Sequence, residues 1–183
     1  ILPFTRLNGG PMDYTPGIFV QDISSFTEGR NTSWSNATIA NQLALYITLY
    51  SPLQMAADFP EHYEQFMDAF QFIKDVDLDW IQSKYLLAEP GEYVVIARQG
   101  KKDGQWFCGG VTDGHKRTLD VPMNFLDPGK TYEATIYADA EDADYRNNPQ
   151  AYMIRKQNVT SEDTLSMTMA RGGGFAISFT ENR

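Results

Sequence analysis

The sequence predicts an α/β segment followed by an antiparallel β-sandwich, and three observations support this fold class. Apolar residues recur with the period of a helix over about the first 80 residues, and with a period of two over the rest. Short strand-like runs fill the second part. Asp-Gly, Asp-Pro-Gly and Gly-Gly-Gly turns separate them. The change of period predicts a boundary between Trp80 and Pro90, so we divide the chain into residues 1–80 and 81–183.

A first helix is predicted in the segment before Pro52. Apolar side chains recur there at spacings of three and four, which places them on one face of a helix. Ser35 or Asn36 is positioned to cap the first turn, and Pro52 ends the helix. The predicted buried face consists of Ile39, Ala40, Leu43, Ile47 and Tyr50.

A short strand and a second helix are predicted to follow. The apolar run 53–57 is too short for a helix and lies between Pro52 and Asp58, as a buried parallel strand would. Asp58 and Glu61 have the spacing of a capping box, with Pro60 in the first turn. The predicted apolar face of this helix consists of Tyr63, Phe66, Met67, Phe70 and Ile73. This order of strands and helices indicates a parallel sheet covered by helices.

Seven runs in the second part are predicted as strands. Several of them alternate apolar and polar residues, so each is expected to bury one face. The predicted strands are residues 92–98, 105–111, 116–121, 131–138, 151–159, 165–169 and 175–179. Short strands separated by turns in this way are typical of a β-sandwich or a related Greek-key domain.

Composition and charge exclude several classes of function. A net charge of -9, a sequence pI near 4.6 and the lack of a Lys/Arg stripe argue against nucleic acid as a partner. No apolar run approaches the roughly 18 residues that a membrane span needs. The single cysteine, Cys108, excludes an internal disulfide, and with two histidines no usual zinc site can be assembled. The acidic run 139–144 is interpreted as a solvated loop in preference to a cation site.

The Gly- and Pro-rich segment 3–17 is the candidate binding loop. Its composition excludes a regular helix and predicts a defined loop, and loops above a rigid scaffold often carry binding groups. Arg6, Asp13 and Tyr14 are its polar members. Asp13 alternatively accepts backbone hydrogen bonds in a structural turn. Asp58 is either a helix cap or, with Asp13, one of a pair of carboxylates as in glycosidases.

Several runs in both parts of the chain carry a family resemblance. They are Thr5-Arg6, Gly-Pro-Met-Asp-Tyr-Thr-Pro-Gly at 10–17, Gln-Leu-Ala-Leu-Tyr at 42–46, Ser-Pro-Leu-Gln-Met-Ala-Ala-Asp at 51–58, Gly91-Glu92-Tyr93, Ala97-Arg98, Trp106, Gly109-Gly110, Phe125-Leu126, Tyr137-Ala138-Asp139 and Gly-Gly-Gly-Phe-Ala at 172–176. These runs closely resemble glycoside hydrolase family 97 over nearly the whole chain. The run 51–53 is also similar to the last barrel strand of the related α-galactosidase clan.

The resemblance implies a fold and an activity. It makes residues 1–80 the last two βα units of a (β/α)₈ TIM barrel and residues 81–183 the C-terminal antiparallel β-sandwich. The implied enzyme is an exo-acting α-glycosidase that hydrolyses terminal α-linked glucose, or galactose, from oligosaccharides with inversion or retention. It is expected to be calcium-dependent and periplasmic. A non-catalytic β-sandwich that binds carbohydrate, for example through Trp106, or that has a structural role, is the alternative.

The resemblance also implies that the chemistry lies outside this chain. The family's catalytic and calcium-binding glutamates belong to earlier barrel strands, so no catalytic residue and no metal ligand is expected here. Arg6, Asp13 and Tyr14 are expected to shape the substrate pocket. We interpret Ile1 as an internal residue of a longer chain, whose N-terminal part is the expected partner. Self-association through the unpaired barrel edge is also expected, because unpaired sheet edges promote association.

Overall fold

The computed structural model describes residues 1–21 and 34–182. Its helices in these ranges are α1 (Ile39–Thr48), α2 (Pro60–Tyr63) and α3 (Met67–Asp75). Its strands there are β1 (Trp80–Glu89), β2 (Tyr93–Gly100), β3 (Trp106–Thr112), β4 (Arg117–Pro122), β5 (Tyr132–Asp139), β6 (Tyr152–Val159), β7 (Thr164–Met169) and β8 (Gly174–Glu181).

The strands form two antiparallel sheets, which confirms the predicted β-sandwich. The larger sheet has the order β1-β2-β3-β8-β5-β6, and β4 pairs with β7 in the smaller one. The core between them buries side chains of both sheets, among them Trp106, Val121, Ile136, Met167 and Phe179. All seven predicted strands form within about two residues of their expected bounds.

The first strand of the large sheet was not predicted. β1 is an edge strand that pairs only with β2 among the described strands. Its register shifts between Trp80 and Gln82 and again between Tyr85 and Leu87. Such bulges break the alternation of side chains. Most of the strand is also solvent-exposed, including Ile81 and Tyr85. Neither a period of two nor an apolar face therefore marked it in the sequence.

Helix α1 forms as predicted, but its ends differ. The residue that caps it is Thr38, whose hydroxyl oxygen accepts a hydrogen bond from the Asn41 backbone N–H at 3.1 Å. The expected caps, Ser35 and Asn36, lie farther from the helix. The helix ends at Thr48, so Tyr50 lies beyond it.

The strand predicted over 53–57 was wrong. Only Gln54 pairs, in a single parallel bridge with Tyr14, and the flanking side chains of Leu53 and Met55 are exposed. A buried parallel strand requires a neighbour on each side, and one bridge does not make a sheet. The bridge does place the segments around Tyr14 and Gln54 side by side and parallel, but barrel units are not shown within this chain.

The second predicted helix is divided into α2 and α3 by a turn of 3₁₀-helix, Glu64–Phe66. A 3₁₀-turn has three residues per turn and therefore rotates the helix face that follows it. Met67, expected to be buried, is exposed, whereas Ala69 and Phe72 are fully buried. The predicted cap is also corrected, since Phe59 occupies the N-cap position and its side chain makes no cap hydrogen bond.

Helix α1 lies directly on the large sheet because glycines line the contact. A Cβ atom on Gly109 would lie 3.0 Å from Ile47 Cβ and 3.1 Å from the Ala44 carbonyl oxygen. A Cβ atom on Gly174 would lie 2.6 Å from the Gly110 carbonyl oxygen and 2.9 Å from Asn41 Cα. Any larger residue would therefore push the helix away from β3 and β8. This explains the glycines at 109 and 174.

Replacing Gly174 by alanine is expected to destabilise the protein by about 2 kcal/mol or more, because the new Cβ meets backbone atoms that cannot rotate away. For a chain of this size that corresponds to a fall in Tm of about 4–8 °C, measured by thermal denaturation. The matched control is Gly114→Ala, since a Cβ on Gly114 meets no atom within 4 Å. Equal Tm values for the two variants would contradict the close packing of α1.

Candidate functional site

The candidate binding loop begins with two short 3₁₀-helices, Leu2–Phe4 and Arg6–Gly9. The exposed Arg6 side chain donates hydrogen bonds to the carbonyl oxygens of Gly10 and Pro11, at 3.2 and 3.3 Å. These bonds bend the chain back on itself at Gly10, whose φ of 111° suits glycine. Arg6 therefore stabilises the shape of the loop, and its outer surface remains open to solvent.

Asp13 and Tyr14 occupy different environments. Asp13 is exposed, and its carboxylate makes no hydrogen bond or ion pair with any residue in 1–21 or 34–182. The backbone contacts expected of a structural turn are thus not formed in this part of the chain. Tyr14 is half-buried beside Gln54, and burial raises the pKa of its hydroxyl. Asp13 has the more accessible polar group of the two.

The backbone that follows Tyr14 is held by polar side chains of α1 and α2. The Gln42 side-chain oxygen accepts hydrogen bonds from the Gly17 and Ile18 N–H groups, at 2.9 and 3.2 Å. The Tyr63 hydroxyl donates to the Gly17 carbonyl at 2.7 Å, and the Tyr46 hydroxyl lies 3.2 Å from the Pro16 carbonyl. Burial raises the pKa of both phenols, so both remain protonated donors.

Asp58 positions this same backbone. One carboxylate oxygen accepts hydrogen bonds from the Phe19 and Val20 N–H groups, at 2.8 and 2.9 Å. The other accepts from the Phe59 N–H and contacts His62 Nδ1 at 2.5 Å. The side chain is only 6% exposed. Both carboxylate oxygens are thus occupied by contacts within the protein. These contacts explain the position of Asp58 without a catalytic pair of carboxylates.

Little in the sequence pattern indicated these anchors. Gln42, Tyr46 and Tyr63 lie on helices whose patterns predicted only packing. The available signal was the pair Asn41-Gln42, two amides within a largely apolar helix, and both prove to be buried. A buried amide requires hydrogen-bond partners, and the loop backbone provides partners for Gln42.

A buried carboxylate joins α1 to the β-sandwich. Asp139 accepts a hydrogen bond from the Thr38 hydroxyl at 2.6 Å and from the Ala170 and Gly174 N–H groups at 2.8 Å each. The turn at 170–174, between β7 and β8, is also bonded to the helix by Asn41, whose side-chain amide donates to the Gly173 carbonyl at 2.9 Å. The interpretation of 139–144 as a solvated loop is therefore corrected at its first residue.

A buried guanidinium holds the other end of α1. The Nε–H of Arg98 donates to the Ile47 carbonyl oxygen at 2.6 Å, in the last turn of the helix, where carbonyls lack helical partners and the dipole favours a cation. The side chain is 4% exposed, and it also lies over the rings of Tyr50 and Trp80. Burial lowers the pKa of Arg98, although an arginine remains charged at neutral pH.

Stability should depend on pH through Asp139. Burial raises the pKa of its carboxyl to about 6. The three hydrogen bonds favour the charged form and lower the pKa, but burial is the larger effect. Since the unfolded pKa is about 4, the folded state binds the proton more tightly, and this contribution to stability is lost as pH rises from about 4 to 6. The free energy of unfolding of wild type minus that of Asp139→Asn should therefore fall by about 2–3 kcal/mol across this range.

The measurement is urea denaturation of both proteins at several pH values. Taking the difference cancels the carboxylates that lie elsewhere, such as Asp127 and Asp144, whose pKa values are lowered by their hydrogen bonds and have the opposite pH dependence. A constant difference between pH 4 and 6 would show that Asp139 is not perturbed.

The fold and the contacts define a two-sheet β-domain. A helical segment packs on its larger sheet, and the side chains of that segment anchor a polar loop. Residues 79–180 match the family model described as the C-terminal, oligomerisation part of glycosyl hydrolase 97. The chain belongs to this family, glycoside hydrolase family 97, and corresponds to its C-terminal part.

Two bacterial relatives align with nearly all of this chain. A retaining α-galactosidase of Bacteroides thetaiotaomicron is 33% identical over 97% of the chain. A probable retaining α-galactosidase of Streptomyces bingchenggensis is 32% identical over 96% of it. The chain spans about a quarter of the length of each, 26% and 24% respectively.

Solved structures show the same architecture. A family 97 enzyme from Pseudoalteromonas sp. strain K8, in complex with acarbose, is 46% identical with a TM-score of 0.94, covering 100% of this chain and 28% of that one. A β-arabinopyranosidase shares the fold at 20% identity, with a TM-score of 0.78 over 97% of this chain and 26% of that one. None of the helices in the described ranges combines the length and apolar character that a membrane crossing needs.

Proposed function

We propose that this chain is the C-terminal part of an exo-acting α-glycosidase that releases terminal α-linked glucose or galactose from oligosaccharides. The observation that carries the proposal is the alignment of 97% of the chain with a retaining α-galactosidase. The acid and base carboxylates that flank the scissile bond belong, in this proposal, to the preceding part of the enzyme. Residues 1–80 supply the last two βα units of its barrel.

The contribution of this chain to activity is to shape the substrate pocket through the candidate binding loop. Asp13 offers an exposed carboxylate, an acceptor for sugar hydroxyl groups, and half-buried Tyr14 lies beside it in the sequence. Arg6 fixes the curvature of the loop. Gln42 and Asp58 hold the backbone that follows, so the loop is ordered before substrate binds. Preorganisation of this kind reduces the entropic cost of binding.

Asp13→Asn in the full-length enzyme is expected to raise KM or lower kcat about tenfold, because a charged acceptor for a hydroxyl becomes a neutral amide. Steady-state kinetics with α-glucoside and α-galactoside substrates provide the measurement. Asp120→Asn is the matched control, an exposed carboxylate on β4 with no hydrogen bond or ion pair to the described residues. Unchanged kinetics in the Asp13 variant would remove that residue from the pocket.

We also propose that the enzyme depends on calcium bound outside this chain and that it acts in the periplasm. The proposal of calcium follows from the family resemblance, which implies calcium-binding glutamates on earlier barrel strands. The periplasmic location follows from the family resemblance. The alternative of glycan binding through Trp106 has no support, since that side chain is 2% exposed.

Self-association is a further part of the proposal, and the family model's description names oligomerisation. Leu53, Met55 and Phe59 form an exposed apolar surface beside the Tyr14–Gln54 bridge, where the rest of a barrel would dock. Ile81 is exposed on β1, an edge strand of the large sheet. We propose that the apolar surface of Leu53, Met55 and Phe59 drives association of the 183-residue chain, because large apolar side chains grouped at a surface commonly mark an interaction site.

Light scattering coupled to size exclusion should therefore give a mass above the 20.7 kDa of a single chain. Leu53→Lys combined with Met55→Lys is expected to shift the species to that single-chain mass, whereas Ile81→Lys is expected to leave it unchanged. A wild-type protein that elutes as a 20.7 kDa monomer would contradict the proposal. Dissociation by Ile81→Lys alone would move the interface to the β1 edge.

A further inference from the structure

One tryptophan of the chain, Trp34, is exposed at the surface. Of the three tryptophans, Trp106 is 2% exposed in the sandwich core and Trp80 packs beneath Arg98, whereas Trp34 is 37% exposed. Trp34 lines a surface cavity of ≈ 310 Å³ together with Asn36 and Arg146. We call this cavity the Trp34 site. Its volume lies at the lower end of the range of small-molecule pockets, about 300–1,000 Å³.

The tryptophan ring is fixed in place. Its indole N–H donates a hydrogen bond to the Tyr145 carbonyl oxygen at 3.0 Å, across 111 residues of sequence. Tyr145 is itself packed against Gly172, where an added Cβ would lie 2.8 Å from Tyr145 Cβ. A ring anchored at its one polar atom presents its apolar face, without further loss of conformational freedom, to whatever binds.

The turn that carries Arg146 is equally rigid. The Asp144 carboxylate accepts hydrogen bonds from the Arg146 and Asn147 N–H groups and from the Arg171 guanidinium, at 2.9, 3.1 and 3.2 Å. The guanidinium groups of Arg146 and Arg171 both lie over the Tyr145 ring, 5.3 and 5.4 Å from its centre. Stacking of this kind orients a guanidinium while leaving its N–H donors free.

The polar groups of the Trp34 site keep their hydrogen-bonding capacity. Within residues 1–21 and 34–182, neither the Asn36 amide nor the Arg146 guanidinium makes a side-chain hydrogen bond or ion pair. Arginine offers five donors, and asparagine offers two donors and an acceptor. The site therefore combines a flat apolar face with donors and an acceptor at its rim. A pyranose ring has matching chemistry, with an apolar C–H face and hydroxyl groups around its edge.

We propose that the Trp34 site binds a neutral sugar residue, with the pyranose face on the Trp34 ring and its hydroxyl groups on Arg146 and Asn36. The site would hold an oligosaccharide through residues of this chain, none of which is Arg6, Asp13 or Tyr14. It is independent of the self-association surface, because none of its residues belongs to that surface.

Titration of the full 183-residue chain with maltotriose, and separately with melibiose, tests the site by calorimetry and tryptophan fluorescence. We expect saturable binding with a Kd of about 1–10 mM for at least one of the two sugars, with a shift in emission, because Trp34 is the most exposed tryptophan. Trp34→Ala should weaken binding at least tenfold. Trp34→Phe should retain most of the affinity while losing the emission shift.

Arg146→Ala is a second test that leaves the Trp34–Tyr145 hydrogen bond in place, so weaker binding by this variant is not explained by loss of that bond. It should weaken binding about fivefold or more, whereas Arg155→Ala, a matched exposed arginine on β6, should leave binding unchanged. No saturation by either sugar up to about 50 mM, or equal affinity of wild type and Trp34→Ala, would overturn the proposal. Loss of binding in Trp34→Ala and Arg146→Ala would support the Trp34 site whatever the kinetics of Asp13→Asn. Unchanged kinetics of Asp13→Asn would exclude only Asp13 from the substrate pocket.

Discussion

The close docking of α1 on the large β-sheet is the contact on which the rest of the structure depends. Glycines at 109 and 174 allow the helix backbone to approach the sheet, and no larger residue fits at Gly174 without displacing backbone. Close packing of this kind maximises the dispersion contacts of the apolar face of α1. It also buries both helix ends, whose unpaired backbone groups then require partners from the protein. The polar interactions at each end follow from that requirement.

Opposite charges meet the two ends of α1, in the sense expected for the helix dipole. The Asp139 carboxylate binds the N-cap Thr38 hydroxyl at the positive end, and the Arg98 guanidinium binds the Ile47 carbonyl at the negative end. Both charges come from the large sheet and are buried, so removing either one would leave polar groups unpaired. The two charges therefore specify the direction in which α1 runs across the sheet, whereas the glycines set its distance from the sheet.

The parts of the fold that the sequence predicted are those with a regular period or with turns on either side. Helix α1 and several strands were predicted from apolar residues that repeat at three and four or at two, and the other strands from short apolar runs bounded by turns. β1 was missed because bulges and exposure remove its period. The run 53–57 was misinterpreted because a short apolar segment carries no information on whether neighbours cover it. At the candidate site, Arg6, Asp13 and Tyr14 were proposed from loop composition and stay a prediction, whereas the anchors were not predicted. Gln42 and Asp58 bind backbone groups distant in sequence, and no local pattern encodes such contacts.

The anchors explain how the β-sandwich positions a loop that belongs to a different part of the fold. Asp139 on β5 and the glycine turn hold the N-terminus of α1 through Thr38 and Asn41. One helical turn from Thr38, Gln42 holds the backbone of Gly17 and Ile18. Helix α1 thus ties the candidate loop to the β-domain, because it carries both sets of contacts. A displacement of the sandwich would move the loop with it, so the β-domain determines where Asp13 and Tyr14 lie. The geometry of the loop therefore depends on the β-domain, even though no residue of the loop belongs to either sheet.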